Sequence, residues 1–187
     1  MKKTLAICLL LCTLYLSSCG LFVKNLDTTD IEKYGIYDDC VGEDATDFFP
    51  QLDKNIMSNF RYSYNTNCFA DCAHEIYLEF TIENEDEFTK FIEAKQNDIL
   101  QKKEGAAIQK FKYDENYSEI VIKDKITTRR DRNNDLVIDS AMIYKVIYNE
   151  QDHTVIFVSL YVMDYWEFEN STYIERFHID PNTLPPR

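Results

Sequence analysis

Hydrophobic and polar residues alternate along two neighbouring segments in the first half of the chain. Aromatic side chains occupy every second position from Phe60 to Tyr64, and apolar side chains do the same from Ile76 to Ile82. A period of two residues is typical of β-strands whose two faces meet different surroundings. Because only a short loop separates these segments, we predict that they form an antiparallel hairpin.

The periodicity changes directly after this hairpin. Asn84 is a favoured N-cap residue, and Glu87 three residues later completes a capping-box pattern. Apolar residues then recur at helical spacing on one side of the segment: Phe88, Phe91, Ile92 and Ile99. Gly105, preceded by two lysines, is typical of a helix C-terminus. The pattern therefore predicts one main helix.

Four further runs are rich in Val, Ile, Tyr and Phe, and they cover 119–126, 136–148, 154–163 and 172–179. Such residues favour strands, and the short polar breaks between the runs favour antiparallel neighbours. The run from Val155 to Val158 is apolar at every position, which is typical of a central strand. We predict an α+β fold in the order β-β-α-β-β-β-β, with an antiparallel sheet of about six strands and one main helix packed on a face. This order resembles cystatin-like arrangements, a likeness that implies no function.

The N-terminus has the pattern of an export signal. Lys2 and Lys3 precede a mostly apolar stretch from Thr4 to Leu16, which is too short to span a bilayer as a helix. The run Leu16-Ser17-Ser18-Cys19-Gly20 then resembles the lipobox of bacterial lipoproteins. That resemblance implies lipid attachment at Cys19 and cleavage just before it. The alternatives are an ordinary signal peptide and an uncleaved membrane anchor.

These features divide the chain into three predicted parts. Residues 1–18 are a lipoprotein signal peptide, residues 19–46 a lipidated tether and irregular segment, and residues 47–187 a single α+β domain. The two acyl chains of a diacylglyceryl group hold a protein stably on a membrane, where one chain would not. We therefore expect the protein on the extracytoplasmic face of the cell membrane, anchored through Cys19.

A second resemblance concerns the predicted domain. The segments Phe49-Pro50, Glu75-Ile76-Tyr77-Leu78-Glu79-Phe80 and Glu85-Asp86-Glu87-Phe88 are similar to those of small, tyrosine-rich lipoproteins of Gram-positive bacteria. The likeness covers residues 48–100. It implies a cell-envelope lipoprotein of uncharacterised function, and no catalytic residues come with it.

The chain is strongly acidic, with 33 Asp and Glu against 20 Lys and Arg and a net charge of −13. Cleavage after residue 18 removes two of these basic residues and no acidic one, which makes the net charge −15. Nucleic-acid binding requires a basic patch, so we exclude a nucleic-acid partner. An acidic surface instead suits a basic protein partner. Acidic residues are repelled by anionic lipid, so the lipid on Cys19 is the predicted membrane contact.

Three cysteines remain once the signal is removed and Cys19 is lipidated. In a compartment that permits disulfides, one bridge and one free thiol is the simplest arrangement. Cys68 and Cys72 are the candidate pair if their loop is curled, and Cys40 is an alternative partner. Cys68, Cys72 and His74 form the one cluster of Cys and His in the sequence. A tetrahedral metal site needs a fourth ligand, so we predict no metal there.

A second motif has part of the pattern of a calcium-binding loop. Oxygen ligands recur from Asp131 to Asp135, but Leu136 stands where such a loop needs Gly and Met142 where it needs a bidentate Glu. Asn and Asp tolerate positive φ, so we predict a hairpin turn between two strands here instead.

The sequence does not favour catalysis. Of the four glycines in the chain, Gly20 belongs to the lipobox-like run, and Gly35, Gly42 and Gly105 flank no candidate nucleophile. This argues against a nucleophile elbow or a phosphate loop. Glu75 and Glu79 are a same-face acidic pair that would suit a hydrolase, but such pairs usually face water. We predict no catalytic residue and no cofactor.

Alternating tyrosines would form a platform for a peptide or a sugar if they were exposed, and a core if they were buried. The candidate ligand-facing residues are Tyr62, Tyr64, Tyr144, Tyr148, Tyr161 and Tyr165. We therefore predict a non-catalytic binding or interaction module for an unknown protein or glycan. An envelope hydrolase using acidic residues and an immunity-type protective lipoprotein are the alternatives.

Overall fold

The computed structural model describes residues 23–35, 48–67, 73–162 and 171–185, which form one antiparallel sheet with two helices. The strands are β1 Val23–Thr28, β2 Met57–Asn67, β3 Ala73–Ile82, β4 Ala107–Lys110, β5 Ser118–Arg130, β6 Leu136–Asn149 and β7 Thr154–Val162. The α-helices are α1 Glu85–Lys102 and α2 Thr172–Arg176, and 3-10 turns cover Ile31–Lys33 and Pro181–Thr183. No helix within these ranges is both long and apolar enough to cross a membrane.

The strand order across the sheet is β1-β2-β3-β7-β6-β5-β4, and every neighbouring pair is antiparallel. Helix α1 carries the chain from β3 to the far edge at β4, and β4 to β7 then return step by step to the side of β3. The α+β class, the antiparallel sheet, the single main helix and the central position of Val155 to Val158 are thus confirmed. The described sheet has seven strands, however, and not about six.

One predicted strand is wrong. Most of the run 172–179 belongs to helix α2 and the turn after it, because Ser171 acts as an N-cap and its Oγ accepts a hydrogen bond from Ile174 N at 3.2 Å. Tyr173 and Phe177 lie four residues apart, and their rings meet with centroids 5.5 Å apart. Residues four apart share a face in a helix and also in a strand, so in so short a run the pattern does not distinguish the two.

The two edge strands were not predicted. In β4 all four side chains are exposed, so no alternation of buried and exposed residues marks it. Strand β1 lies within residues 19–46, which we expected to be tether, and it pairs with β2 in a register that sets Leu26 opposite Tyr64. Leu26 packs against the core, which is a reason for this segment to add to the sheet.

Each face of the sheet buries its own apolar cluster. On the first face, Leu78, Phe80 and Phe157 are fully buried beneath Phe88 and other residues of α1. On the second face, a cluster around Ile143 and Val158 is covered by the chain between β4 and β5 and by residues 171–185. Each fully buried side chain of this size contributes about 1.5–3 kcal/mol. Because both faces of the sheet are covered, we expect binding sites at the ends of the sheet and on the elements that cover it.

The loop with part of a calcium-binding pattern is the predicted hairpin turn between β5 and β6. The Asp131 carboxylate accepts hydrogen bonds from the backbone N–H groups of Asn133 at 2.9 Å and Asp135 at 2.8 Å. Asn134 has a φ of 69°, in the left-handed region that Asn tolerates. The acidic side chain that would begin a calcium loop thus stabilises the turn.

Candidate functional site

A groove of about 320 Å³ lies between helix α1 and the turn that joins β6 to β7. Its lining residues are Glu85, Phe88, Thr89, Ile92, Glu93, Gln96, Tyr148, Glu150 and His153. Phe88, Ile92 and Tyr148 are buried and form an aromatic and aliphatic floor, whereas the three glutamates are exposed. The lining contains neither Lys nor Arg, and its carboxylates are those of the three glutamates.

Helix α1 forms one wall of the groove, and its start is fixed by the predicted cap. Asn84 Oδ1 accepts a hydrogen bond from Glu87 N at 3.1 Å. From this start, Glu85, Thr89 and Glu93 follow at intervals of four residues and therefore lie above one another on one exposed side. The cap thus determines which acidic side chains border the groove.

The turn between β6 and β7 forms the other wall. Asn149 Oδ1 accepts from Gln151 N at 2.8 Å, and Asp152 Oδ1 accepts from Thr154 N at 3.0 Å. His153 has a φ of 54°, an uncommon value for a residue with a side chain, and its carbonyl accepts from Ile82 N at 3.1 Å. These bonds set the His153 ring against Phe88, with centroids 4.9 Å apart and planes at 23°.

The polar groups at the floor of the groove are neutral. The Tyr148 hydroxyl accepts a hydrogen bond from Gln96 Nε2 at 3.1 Å. Burial raises the pKa of Tyr148, so its phenol keeps its proton at ordinary pH. A neutral floor with a rim of carboxylates is suited to binding a cation that carries an apolar stem.

The predicted ligand-facing tyrosines share the first face of the sheet. Tyr62, Tyr64 and Tyr148 are buried within its apolar cluster, whereas Tyr144 and Tyr161 are half-buried. Most of the row is therefore core, and Tyr148 alone among these five borders the groove. Tyr165 lies outside the described residues. Whether the half-buried pair meets a ligand stays a prediction.

The predicted roles of the cysteines fall outside the part of the chain that the structure describes. Cys19, Cys40, Cys68 and Cys72 all lie in undescribed segments. Lipid attachment and disulfide pairing therefore stay predictions. Within the described ranges, no group of three or more His, Cys, Asp or Glu residues could hold a metal ion.

A buried histidine and serine pair that was not predicted from the sequence lies on the first face. His74 Nε2 lies 2.9 Å from Ser159 Oγ, and the His74 ring stacks on Tyr161 at 6.0 Å. Burial lowers the pKa of His74 to about 4, which keeps the ring neutral at physiological pH. Because Ser159 is fully buried, a substrate cannot reach its hydroxyl, and the pair has a structural role.

A buried ion network lies on the second face. Lys145 Nζ is 2.9 Å from Glu119 Oε2 and 3.0 Å from Asp124 Oδ2, and the side chains of Lys145 and Glu119 are fully buried. Lys112 Nζ lies 3.0 Å from the same Asp124 oxygen. Burial by itself would raise the pKa of Asp124, but the two lysines outweigh it and the pKa lies below its usual value. The charges are paired with one another, so the network serves the fold.

The acidic pair Glu75 and Glu79 does not face water, contrary to our expectation. Glu75 accepts hydrogen bonds from Ser171 Oγ at 2.8 Å, from Tyr173 N at 2.8 Å and from Thr172 N at 3.1 Å. Glu79 Oε1 lies 3.3 Å from Arg176 Nη2 and is half-buried. Both carboxylates bind α2, an element that the sequence analysis placed as a strand. Burial raises the pKa of Glu75 despite its hydrogen bonds.

The sequence did not predict the groove. It did predict each of its two walls, one as a capped helix and the other as a polar turn. The two walls come together because of the strand order, which the hydrophobic pattern does not contain.

Comparison of the chain with protein-family models, with curated proteins and with solved structures finds no match.

Proposed function

We propose that this chain is a lipoprotein anchored through Cys19 on the extracytoplasmic face of the cell membrane, and that its folded part binds a basic protein without catalysis. The observation that carries the binding role is the groove, whose charged lining consists of Glu85, Glu93 and Glu150. The net charge of −13 supports it, because an acidic surface attracts basic partners over long range. The lipobox-like run supports the anchor.

Binding is preferred to hydrolysis because of where the reactive groups lie. Glu75, Glu119, Lys145 and His74 are buried, and each is hydrogen-bonded or ion-paired within the fold. A general acid or base must reach the substrate within hydrogen-bonding distance. The exposed carboxylates of the groove are open to solvent instead, where they attract a cation.

A cystatin-like arrangement stays part of the proposal as a description of the fold. Its support is the order of a helix followed by a meander of antiparallel strands. In this chain the meander begins at the edge strand β4 and ends at β7 beside β3. The arrangement implies no ligand, because function resides in the site and not in the fold.

The anchor is tested with Cys19→Ala in the full chain. We expect the variant to lose incorporation of radiolabelled fatty acid and either to leave the membrane fraction or to accumulate as an unprocessed precursor. Cys12→Ala, within the predicted signal peptide, is the matched control and should be labelled like the wild type. Normal lipid labelling of the Cys19→Ala protein would refute the lipoprotein assignment.

The partner class is tested with the detergent-solubilised full chain as bait in envelope extracts. We expect it to retain proteins with basic isoelectric points at low salt and to release them near 1 M salt, where the Debye length is about 3 Å. Mass spectrometry identifies the retained proteins. Retention that ignores salt, or retention of acidic proteins only, would contradict the proposal, and so would an empty eluate.

A further inference from the structure

We infer that the groove between α1 and the β6–β7 turn binds one arginine side chain of the partner protein. The methylene stem would lie on Phe88 and Ile92, and the guanidinium at the acidic rim to which Glu85, Glu93 and Glu150 contribute. This inference rests on the proposed function and names the group that the acidic surface recognises. It also gives the partner a defined contact in addition to a general attraction of charge.

The groove has room for a long side chain, and its lining suits one with a cationic head. Its volume of about 320 Å³ is at the lower end of the ~300–1,000 Å³ usual for small-ligand sites. A buried apolar floor beneath an acidic rim matches a long side chain with an apolar stem and a cationic head. An anion would be repelled by the three carboxylates, and a neutral ligand would gain no charge attraction from them.

The three carboxylates are not neutralised from within the fold. Other acidic residues of the described part form ion pairs, among them Asp124 with Lys145 and Glu79 with Arg176. No ion pair joins Glu85, Glu93 or Glu150 to any described residue. Their charge is therefore available to a cation from outside.

Two features favour arginine over lysine. A planar guanidinium has five N–H donors and can bridge neighbouring carboxylates, whereas an ammonium acts as a point charge. The half-buried His153 ring, stacked on Phe88, also provides a flat aromatic wall of the kind on which guanidinium groups stack. At the floor, the amide nitrogen of Gln96 is bound to Tyr148, which leaves its amide oxygen as a further acceptor.

The test uses the full chain in detergent and three capped pentapeptides of alanine with a central arginine, lysine or citrulline. Citrulline keeps the shape of arginine without its charge. We expect the arginine peptide to bind most tightly, the lysine peptide more weakly and the citrulline peptide at least about fivefold more weakly. NMR titration should shift the signals of Thr89 and His153, which lie in the groove.

Variants locate the site. Glu93→Gln and Glu150→Gln should each weaken binding of the arginine peptide by about two- to fivefold, the scale of an exposed ion pair. Glu104→Gln and Glu115→Gln remove the same charge from exposed positions that do not line the groove, and they should leave the affinity unchanged. Circular dichroism of each variant verifies that the fold is retained.

Several outcomes would overturn the inference: equal affinity for arginine and citrulline, equal weakening by groove and control variants, or a free polyamine that binds more tightly than the arginine peptide. These failures are distinguishable from failure of the proposed function. If Glu93→Gln bait still retains the basic partner as the wild type does, the groove assignment fails and the partner class stands. If wild-type bait retains no basic protein, the partner class fails.

Discussion

His74 and Lys145 are ionisable residues in the interior of the sheet, and they avoid the cost of a buried charge in different ways. His74 is neutral and shares a hydrogen bond with Ser159. Lys145 is held between the carboxylates of Glu119 and Asp124. Neither burial was predicted, because alternation indicates that residues share a face and says nothing about what covers that face. Each residue leads to a stability prediction.

His74 makes the fold sensitive to acid. Burial lowers its pKa from the ordinary 6.5 to about 4, so between these values the unfolded chain binds a proton that the folded chain does not. The stabilisation is complete above pH 6.5 and is lost as the pH falls towards 4, by up to about 3 kcal/mol. Urea denaturation at several pH values measures it.

The pKa of Glu75 is raised, so its titration changes stability with pH in the direction opposite to that of His74. The effect of His74 is therefore measured as the difference in unfolding free energy between the wild type and a His74 variant. His74→Gln removes the titration while keeping a polar side chain. We expect the difference in unfolding free energy between wild type and variant to shrink as the pH falls from 6.5 to 4. An unchanged difference across this range would show that His74 is not buried as a neutral ring.

Lys145→Met should destabilise the fold by about 3–5 kcal/mol, because it leaves the buried Glu119 carboxylate without its cation. Adding Glu119→Gln removes the orphaned charge and should restore a large part of the loss. Lys123→Met, at an exposed position of β5, is the control and should change stability by less than about 0.5 kcal/mol. Equal effects of Lys145→Met and Lys123→Met in chemical denaturation would contradict the buried network.

At the scale of elements, long and strongly patterned segments were predictable and short ones were not. Helix α1 begins after Asn84 as expected, because the cap marks its start and an apolar stripe at helical spacing follows along its eighteen residues. Strand β7 is central because an apolar run on both phases requires cover on both faces. The edge strands β1 and β4 depend on pairing with distant segments, and their own residues carry little hydrophobic pattern.

Helix α2 shows why a five-residue element cannot be assigned from periodicity alone. An isolated helix of this length is unstable in water, so tertiary contacts must stabilise it. Those contacts come from Glu75 at its N-terminus and from Glu79 through Arg176. In the sequence these two acidic residues form a same-face pair that would suit a hydrolase, and nothing in the local pattern indicates that they bind a helix.

Glu75→Gln tests this docking contact. The amide nitrogen of Gln can no longer accept a backbone N–H of α2, so we expect a loss of about 1–3 kcal/mol in unfolding free energy. Hydrogen exchange at the amides of Thr172 and Tyr173 should accelerate. Glu83→Gln, an exposed position just after β3, should change neither quantity. Unaltered exchange in the Glu75→Gln protein would mean that α2 is held by other contacts.

For the whole molecule, the acidic charge follows from the sequence, a basic partner stays a prediction, and the position of the groove was not predicted. Glu85 and Glu93 come from α1, whereas Glu150 and His153 come from a turn some sixty residues later. They meet because β7 pairs with β3, the strand that precedes α1. Strand order follows from the packing of the entire sheet, so it was not accessible from any local pattern. The predicted tyrosine platform is not found as an exposed row, because most of its described members fill the core.

Photo-crosslinking from the groove, in the cells that produce the chain, tests whether the groove binds a basic protein. A benzoylphenylalanine replaces Thr89, an exposed groove residue, and in a matched control it replaces the exposed Glu115. We expect a crosslink to a basic protein from position 89 that weakens when Glu93→Gln and Glu150→Gln are added, and none from position 115. Equal crosslinks from both positions, or no basic protein crosslinked from position 89, would contradict binding in the groove.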